Sequence, residues 1–341
     1  MPDTKFNCLP TIIGSMPHTD PEKACALINH YLMNIPAWPQ LPKRSFRESM
    51  SVQFSQGFPG IVEKDNCIYV DRSEDLDEPL EELYTAYLDN DIDKYPVGAD
   101  YAAGLHTFLD QTYPKPKAVK GQITGPISWG LSVTDDGKRA ILYDDMLSDA
   151  TAKLLRLKAG WQEKELSKIS KNTIIFIDEP SMASYGSAFF SLPRERVVSL
   201  LEEVLGGINN IKGIHCCGNT DWPIILDTST DILSFDTYNY AESLTLYPSE
   251  VKQFLDRGGA IAWGIVPNAE DRLSAETVSS LKDRLEEAMA PFARNGISFR
   301  QLVEQGLLTP SCSLSLLTKD GADHTLELLV GLSQEIRKRY R

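Results

Sequence analysis

From Asn172 to the C-terminus the sequence keeps one rhythm: a short β-branched run, a polar turn, then an amphipathic stretch. "NTIIFIDEP", "IKGIHCCGN", "TDILSFDTY", "AIAWGIVP" and "GLLTPSCSL" read as strands. Between and after them, Pro193–Ile208, Tyr247–Gly259, Ser274–Phe292 and Asp323–Arg341 read as helices. The first part repeats the pattern more loosely. Strands are expected at Leu9–Ser15 and Ala118–Pro126, and helices at Pro21–Met33 and Asp144–Ile169. Strands alternating with helices give right-handed crossovers and a parallel sheet. The expected fold class is α/β, a single (β/α)8 TIM barrel over residues 1–341. The eighth strand falls to the Pro-rich Ile35–Pro42, and residues 51–113 read as an insertion over the barrel mouth. No G-x-G-x-x-G follows the first strand, which argues against the alternative, a doubly wound dinucleotide fold.

Composition excludes several partners. The 341 residues carry a formal charge of −14, which repels phosphate backbones, and no long basic patch offsets it. No apolar run approaches the roughly 20 residues needed to span a bilayer. The N-terminus lacks a signal peptide's apolar core. A cytoplasmic location is therefore expected, with the six cysteines as thiols, ligands or core residues rather than disulfides.

In such barrels chemistry sits at the carboxyl ends of the strands. The unusual polar residues fall there: Gly14–Ser15, Asp178–Glu179, His215 with Cys217, Asp236 and Cys312. Side chains alternate along a strand, so His215 and Cys217 share a face and Cys216 points the other way, toward the helices. Imidazole plus thiolate suits zinc, but a lone H-x-C equally fits a core strand. Cys312 and Asp236 are candidates for the remaining ligands, and Asp236 also fits a helix cap. Cys8, Cys25 and Cys67 have no ligand-like spacing. Asp178 is placed to hold an ammonium group, with Glu179 capping or orienting the loop; Trp129 reads either as a flat pocket wall or as packing.

"TIIGSMPHTD", "GQITGPISW", "IIFIDEPSM", "IHCCGN", "DILSFDT" and "LTPSCSL" stand in the order found in another catalytic barrel. That is the C-terminal barrel of cobalamin-independent methionine synthase, shared with uroporphyrinogen decarboxylase-like methyltransferases. The chain resembles this family from about Leu9 to its end. The resemblance implies zinc on His215, Cys217 and Cys312, with Asp236 where the family has a glutamate. It implies Gly14 and Ser15 at the homocysteine carboxylate, Asp178 at its amino group, and Gln40 near another substrate-binding position. Two departures bear on the methyl donor. The sequence shows no counterpart of the family's N-terminal barrel, and Val266 stands where the family has a general-acid histidine. Together they imply a "core" methionine synthase that moves a methyl group to L-homocysteine from a methylcorrinoid, either methylcobalamin or a methylated corrinoid protein, rather than from methyltetrahydrofolate. Rivals are a methyltransferase for another thiol such as coenzyme M, a metal-free decarboxylase, and a non-catalytic corrinoid-protein partner or zinc store.

Overall fold

The computed structural model describes residues 5–73, 75–187 and 190–340. Among the described residues ten strands occur in chain order: β1 Leu9–Pro10, β2 Ile61–Lys64, β3 Cys67–Val70, β4 Val119–Thr124, β5 Thr134–Asp135, β6 Thr173–Asp178, β7 Ile211–Cys216, β8 Ile232–Phe235, β9 Ala260–Val266 and β10 Gly306–Pro310. Seven form one parallel sheet in the spatial order β1-β10-β9-β8-β7-β6-β4. From β4 onward each strand of this sheet lies beside its predecessor, with helices between them, as short crossovers require.

The Pro-rich stretch is not a strand. It touches both edges of the sheet through single bridges, Ala37 to Lys120 and Gln40 to Ser15. Lys120 N–H donates to Pro36 O at 2.8 Å, and Gln40 N–H donates to Gly14 O at 3.1 Å. Pro36, Pro39 and Pro42 have no N–H to give, so no continuous ladder forms. The sheet is thus a curled seven-stranded one whose two edges this irregular segment joins.

Both faces of the sheet are buried, which explains the near-continuous apolar strands. Ile174, Phe176, Ile211, Ile232, Ala260, Ala262 and Leu307 pack in one cluster with Phe6, Leu9, Ile35 and Ala118. Their alternate neighbours, among them Ile175, Ile177, Ile214, Cys216, Leu233 and Trp263, pack in the larger core with the helices. The register then sets Asp178 beside His215, and His215 beside Ser234, on the face of the first cluster.

Helix starts follow local chemistry. Asp20 accepts from Glu22 N–H ahead of the helix Pro21–Tyr31, and Asp144 accepts from Met146 and Leu147 N–H ahead of Asp145–Leu166. Residues 51–113 lie mostly against the outer helices. β2 and β3 form a hairpin that pairs with β5. The helix Asp77–Asp89 packs on Asp145–Leu166, where Tyr84 Oη donates to Asp149 at 2.7 Å. Ala103–Leu109 packs on Pro21–Tyr31. Gln53, in the stretch Ser51–Phe58, reaches the site described next through Gln40. Among the described residues, no helix is long and apolar enough to cross a membrane.

Candidate metal centre and substrate pocket

β7 brings His215 inward, and the turn after it carries Cys217; Cys312 arrives from the turn after β10. One ligand atom from each of the three lies within 4.8 Å of the others. His215 is 2% exposed and its Nε2 has no hydrogen-bond partner, although a buried ring nitrogen normally finds one. Its Nδ1 lies 2.9 Å from Ser234 Oγ on β8. With the Nδ1 proton on that hydroxyl, Nε2 turns a lone pair toward the sulfurs. The Cys312 thiol hydrogen-bonds to Cys217, which draws the Cys217 thiol far below its usual range against the opposing effect of burial; His215 adds to the pull. The same bond and burial push Cys312 up.

This set fits zinc. Two thiol sulfurs and a neutral imidazole are the donors that ion prefers. Tetrahedral bonds of about 2.0–2.3 Å place ligand atoms roughly 3.3–3.8 Å apart, so side-chain rotations of about an ångström close the site. Two bonds hold the ligand loop after β10. Asn268 accepts from Ser311 Oγ at 3.0 Å and donates to Ser313 O at 3.0 Å, so its amide brackets Cys312. Leu314 N–H donates to Ser15 O at 3.0 Å, tying this loop to the first strand's exit.

Asp236 lies outside the cluster of three. It caps the helix Thr237–Leu244, with Oδ1 accepting from Asn239 N–H at 2.9 Å and Oδ2 from Asn239 Nδ2 at 2.6 Å. Burial raises its pKa, and the negative charge of Cys217 adds to that. The carboxylate is near enough to feel the cluster but is held by Asn239.

Asp178 ends β6 beside His215, and its Oδ1 is buried without a partner. Burial raises its pKa; His215 and Lys120 oppose that shift. Gly14 and Ser15 form the turn after β1, where Ser15 Oγ donates to Gln40 Oε1 at 3.2 Å. Gln40 Nε2 donates to Gln53 Oε1 at 2.6 Å. Gly14 has φ +156°, and a Cβ there would meet the Gln122 amide at 2.6 Å and Gln40 Oε1 at 2.7 Å, so only glycine fits. Gly14, Ser15, Gln40 and Gln53 are thus one packed polar layer.

Two of the expected pocket residues serve elsewhere. Trp129 is 1% exposed; its indole N–H donates to Ser51 O at 2.7 Å and Phe58 meets it edge-on at 4.9 Å, so it is packing and not a pocket wall. Glu179 is fully buried and accepts from Ile127 N–H, Ser128 N–H and Ser128 Oγ at 2.9, 2.8 and 2.6 Å. It caps the helix Pro126–Ser132, which has no cap of its own, and leaves no oxygen for a ligand. A 680 Å³ cavity lies away from this site, near Asn209 and Asn210 ahead of β7. Glu163, which lines it, already binds Thr173, Asn209 and Asn210. The sequence reading missed Lys120, Ser234, Gln53 and Asn268. The first had a visible signal, a lysine inside a predicted strand with the parity of Gln122.

No family model matches the sequence. The chain is 26% identical over 223 residues to the methionine synthase of Methanocaldococcus jannaschii. That match spans 64% of this chain and 65% of the relative, just under two thirds of its length. The fold resembles a B12-independent methionine synthase from Shewanella sp. W3-18-1, solved with selenomethionine, at TM-score 0.59 and 16% identity over 97% of this chain and 98% of that one. It resembles a methyltransferase from Methanosarcina mazei at TM-score 0.56 and 15% identity, covering 95% of this chain and 87% of that one. A putative vitamin-B12 independent methionine synthase from Listeria monocytogenes gives TM-score 0.55 and 13% identity over 96% and 98%. The chain is an α/β protein whose curled parallel sheet resembles that of these solved structures. Within that class it is similar to the methionine synthases, in sequence and over nearly its whole fold.

Proposed function

We propose that the protein transfers a methyl group to the thiol of L-homocysteine, forming methionine, with zinc as its metal and a methylcorrinoid as donor. The observation that carries this reading is the unpartnered Nε2 of buried His215 beside two cysteine sulfurs, in a chain similar to methionine synthases. We read the sheet and its bridging segment as eight positions of one barrel, closed by residues 35–40. The supposed setting is the cytoplasm, where thiols stay reduced.

His215, Cys217 and Cys312 would hold the zinc, with Asp236 as an exchangeable fourth ligand once it leaves Asn239. When bound, zinc supplies a Lewis acid that keeps a thiol deprotonated at neutral pH. Ser234 holds the His215 ring in place through Nδ1. Asp178 offers its free Oδ1 to the substrate ammonium. The Gly14–Ser15 turn, set by Gln40, receives the carboxylate. These groups fix the amino-acid end, so the sulfur meets the methyl group in one orientation. In the net reaction, the homocysteine S–H gives up its proton, a sulfur–carbon bond forms, and the methyl–cobalt bond breaks with its electron pair left on cobalt.

Val266 favours that donor. It is fully buried at the end of β9 and has no proton to give. A folate amine is a poor leaving group that needs protonation, whereas a reduced corrinoid leaves without it. A corrinoid carrier protein is the natural source of such a donor. Coenzyme M is the second reading, but it has no amine to meet Asp178. The test is methyl transfer to homocysteine by the zinc-loaded protein. Turnover with methylcobalamin is expected; efficient turnover with methyltetrahydrofolate alone would overturn the donor.

A further inference from the structure

Lys120 is a fully buried lysine that the chemistry above leaves without a task. Burial lowers its pKa from 10.5 to about 7, and the negative charge of Asp178 opposes that and favours the ammonium form. Its Nζ donates to Ile13 O at 2.6 Å and to Gln122 Oε1 at 3.1 Å, and lies 4.4 Å from the centre of the Phe176 ring. Two oxygens and an aromatic face are the surroundings an ammonium prefers. It makes no ion pair with any carboxylate among the described residues. Asp178, on the next strand, is within Coulombic reach, yet its Oδ1 has no partner. In a low-dielectric interior two opposite charges gain by closing on one another, and leaving both open is costly. Here the strands hold them apart, and the turn of Ile13, Gly14 and Ser15 belongs to the same layer: Lys120 grips its carbonyl and Gln122 packs on Gly14.

We propose that Lys120 is a specificity-determining residue, the positive counter-charge that makes this pocket select a zwitterionic amino-acid thiol. Asp178 and Lys120 offer one charge of each sign, so a substrate carrying both an ammonium and a carboxylate matches them one for one. Its ammonium meets Asp178, and its carboxylate settles at the Gly14–Ser15 turn, which Lys120 positions through Ile13. An aminothiol without a carboxylate leaves Lys120 uncompensated, and a thiol acid without an amine leaves Asp178 so. Removing Lys120 takes away the positive member of the pair and turns the preference of the pocket toward the aminothiol.

The inference rests on homocysteine being the substrate, and titration calorimetry separates the two claims. Homocysteine and its decarboxylated analogue, an aminopropanethiol, are titrated into zinc-loaded wild type and Lys120→Met. Wild type is expected to favour homocysteine by about tenfold or more, the scale of one charge-assisted interaction. Lys120→Met is expected to lose that preference while keeping its zinc. Equal affinity of wild type for both thiols, or an unchanged preference in Lys120→Met, overturns the role of Lys120 alone. Lys120→Arg, which keeps the charge, is expected to retain the preference, and a preference lost equally in Lys120→Arg and Lys120→Met overturns the charge role. No binding of homocysteine by wild type overturns the substrate and this role with it.

Discussion

Three side chains from two strand exits carry the account, and their supports are as specific as the ligands themselves. Ser234 orients His215, and Asn268 spans the two residues that flank Cys312. Loss of such a support costs metal affinity about 10–100-fold in comparable sites. Asn268→Ala is expected to weaken zinc binding by that factor, measured by competition with a chromophoric chelator, with the unfolding midpoint little changed. Unaltered zinc affinity would show that the loop holds itself. Asp178→Ala is expected to raise the homocysteine KM about tenfold or more, since it removes a charge-assisted contact, and to leave zinc content alone. An unchanged KM would move the ammonium elsewhere. At this scale strand parity and strand ends offered His215, Cys217 and Cys312 as candidates, with a core strand fitting the first two equally well, and the structure brings the three together. The roles of Trp129 and Glu179 were not legible in the sequence. Glu179 finds its partners at Ile127 and Ser128, about fifty positions away, and no local pattern shows that pairing.

Among the elements, the helix Asp145–Leu166 hides an ionisable group outside the site. Lys158 is buried, and its Nζ reaches one acceptor, Pro96 O at 3.0 Å. Burial lowers its pKa from 10.5 to about 7. The unfolded chain then binds more protons than the folded one between those values, so stability grows as pH rises through this window and is lost as pH falls toward about 7. Lys158→Met is expected to raise Tm at neutral pH and to flatten the rise in stability on the alkaline side. Parallel Tm–pH curves for the two proteins would contradict it. The strands of the seven-stranded sheet from β4 on, and the long helices outside residues 51–113, lie where periodicity predicts them, within a few residues at their ends. The Pro-rich segment does not form the strand expected of it, because a chain short of N–H donors can bridge two edges without building a ladder. The Ser51–Tyr113 stretch was harder still. Its hairpin closes on Thr134–Asp135, a pairing that sequence spacing does not encode.

For the whole molecule the curled sheet matters because it gathers exits far apart in the chain. Cys217 and Cys312 are neighbours only because β7 and β10 point the same way around one core. The order of motifs made that arrangement readable, and the likeness to methionine synthases over nearly the full fold agrees with it. What stayed hidden was the charge design of the interior, since the relation of Lys120 to Asp178 exists only once β4 lies against β6.

The most direct test is zinc stoichiometry paired with methyl transfer, on wild type and Cys312→Ser. The account predicts one zinc per chain and methionine formed from methylcobalamin and homocysteine by wild type, with both metal retention and transfer sharply reduced in Cys312→Ser. A wild type that binds no stoichiometric zinc, or a Cys312→Ser variant that keeps full zinc and full activity, would contradict it.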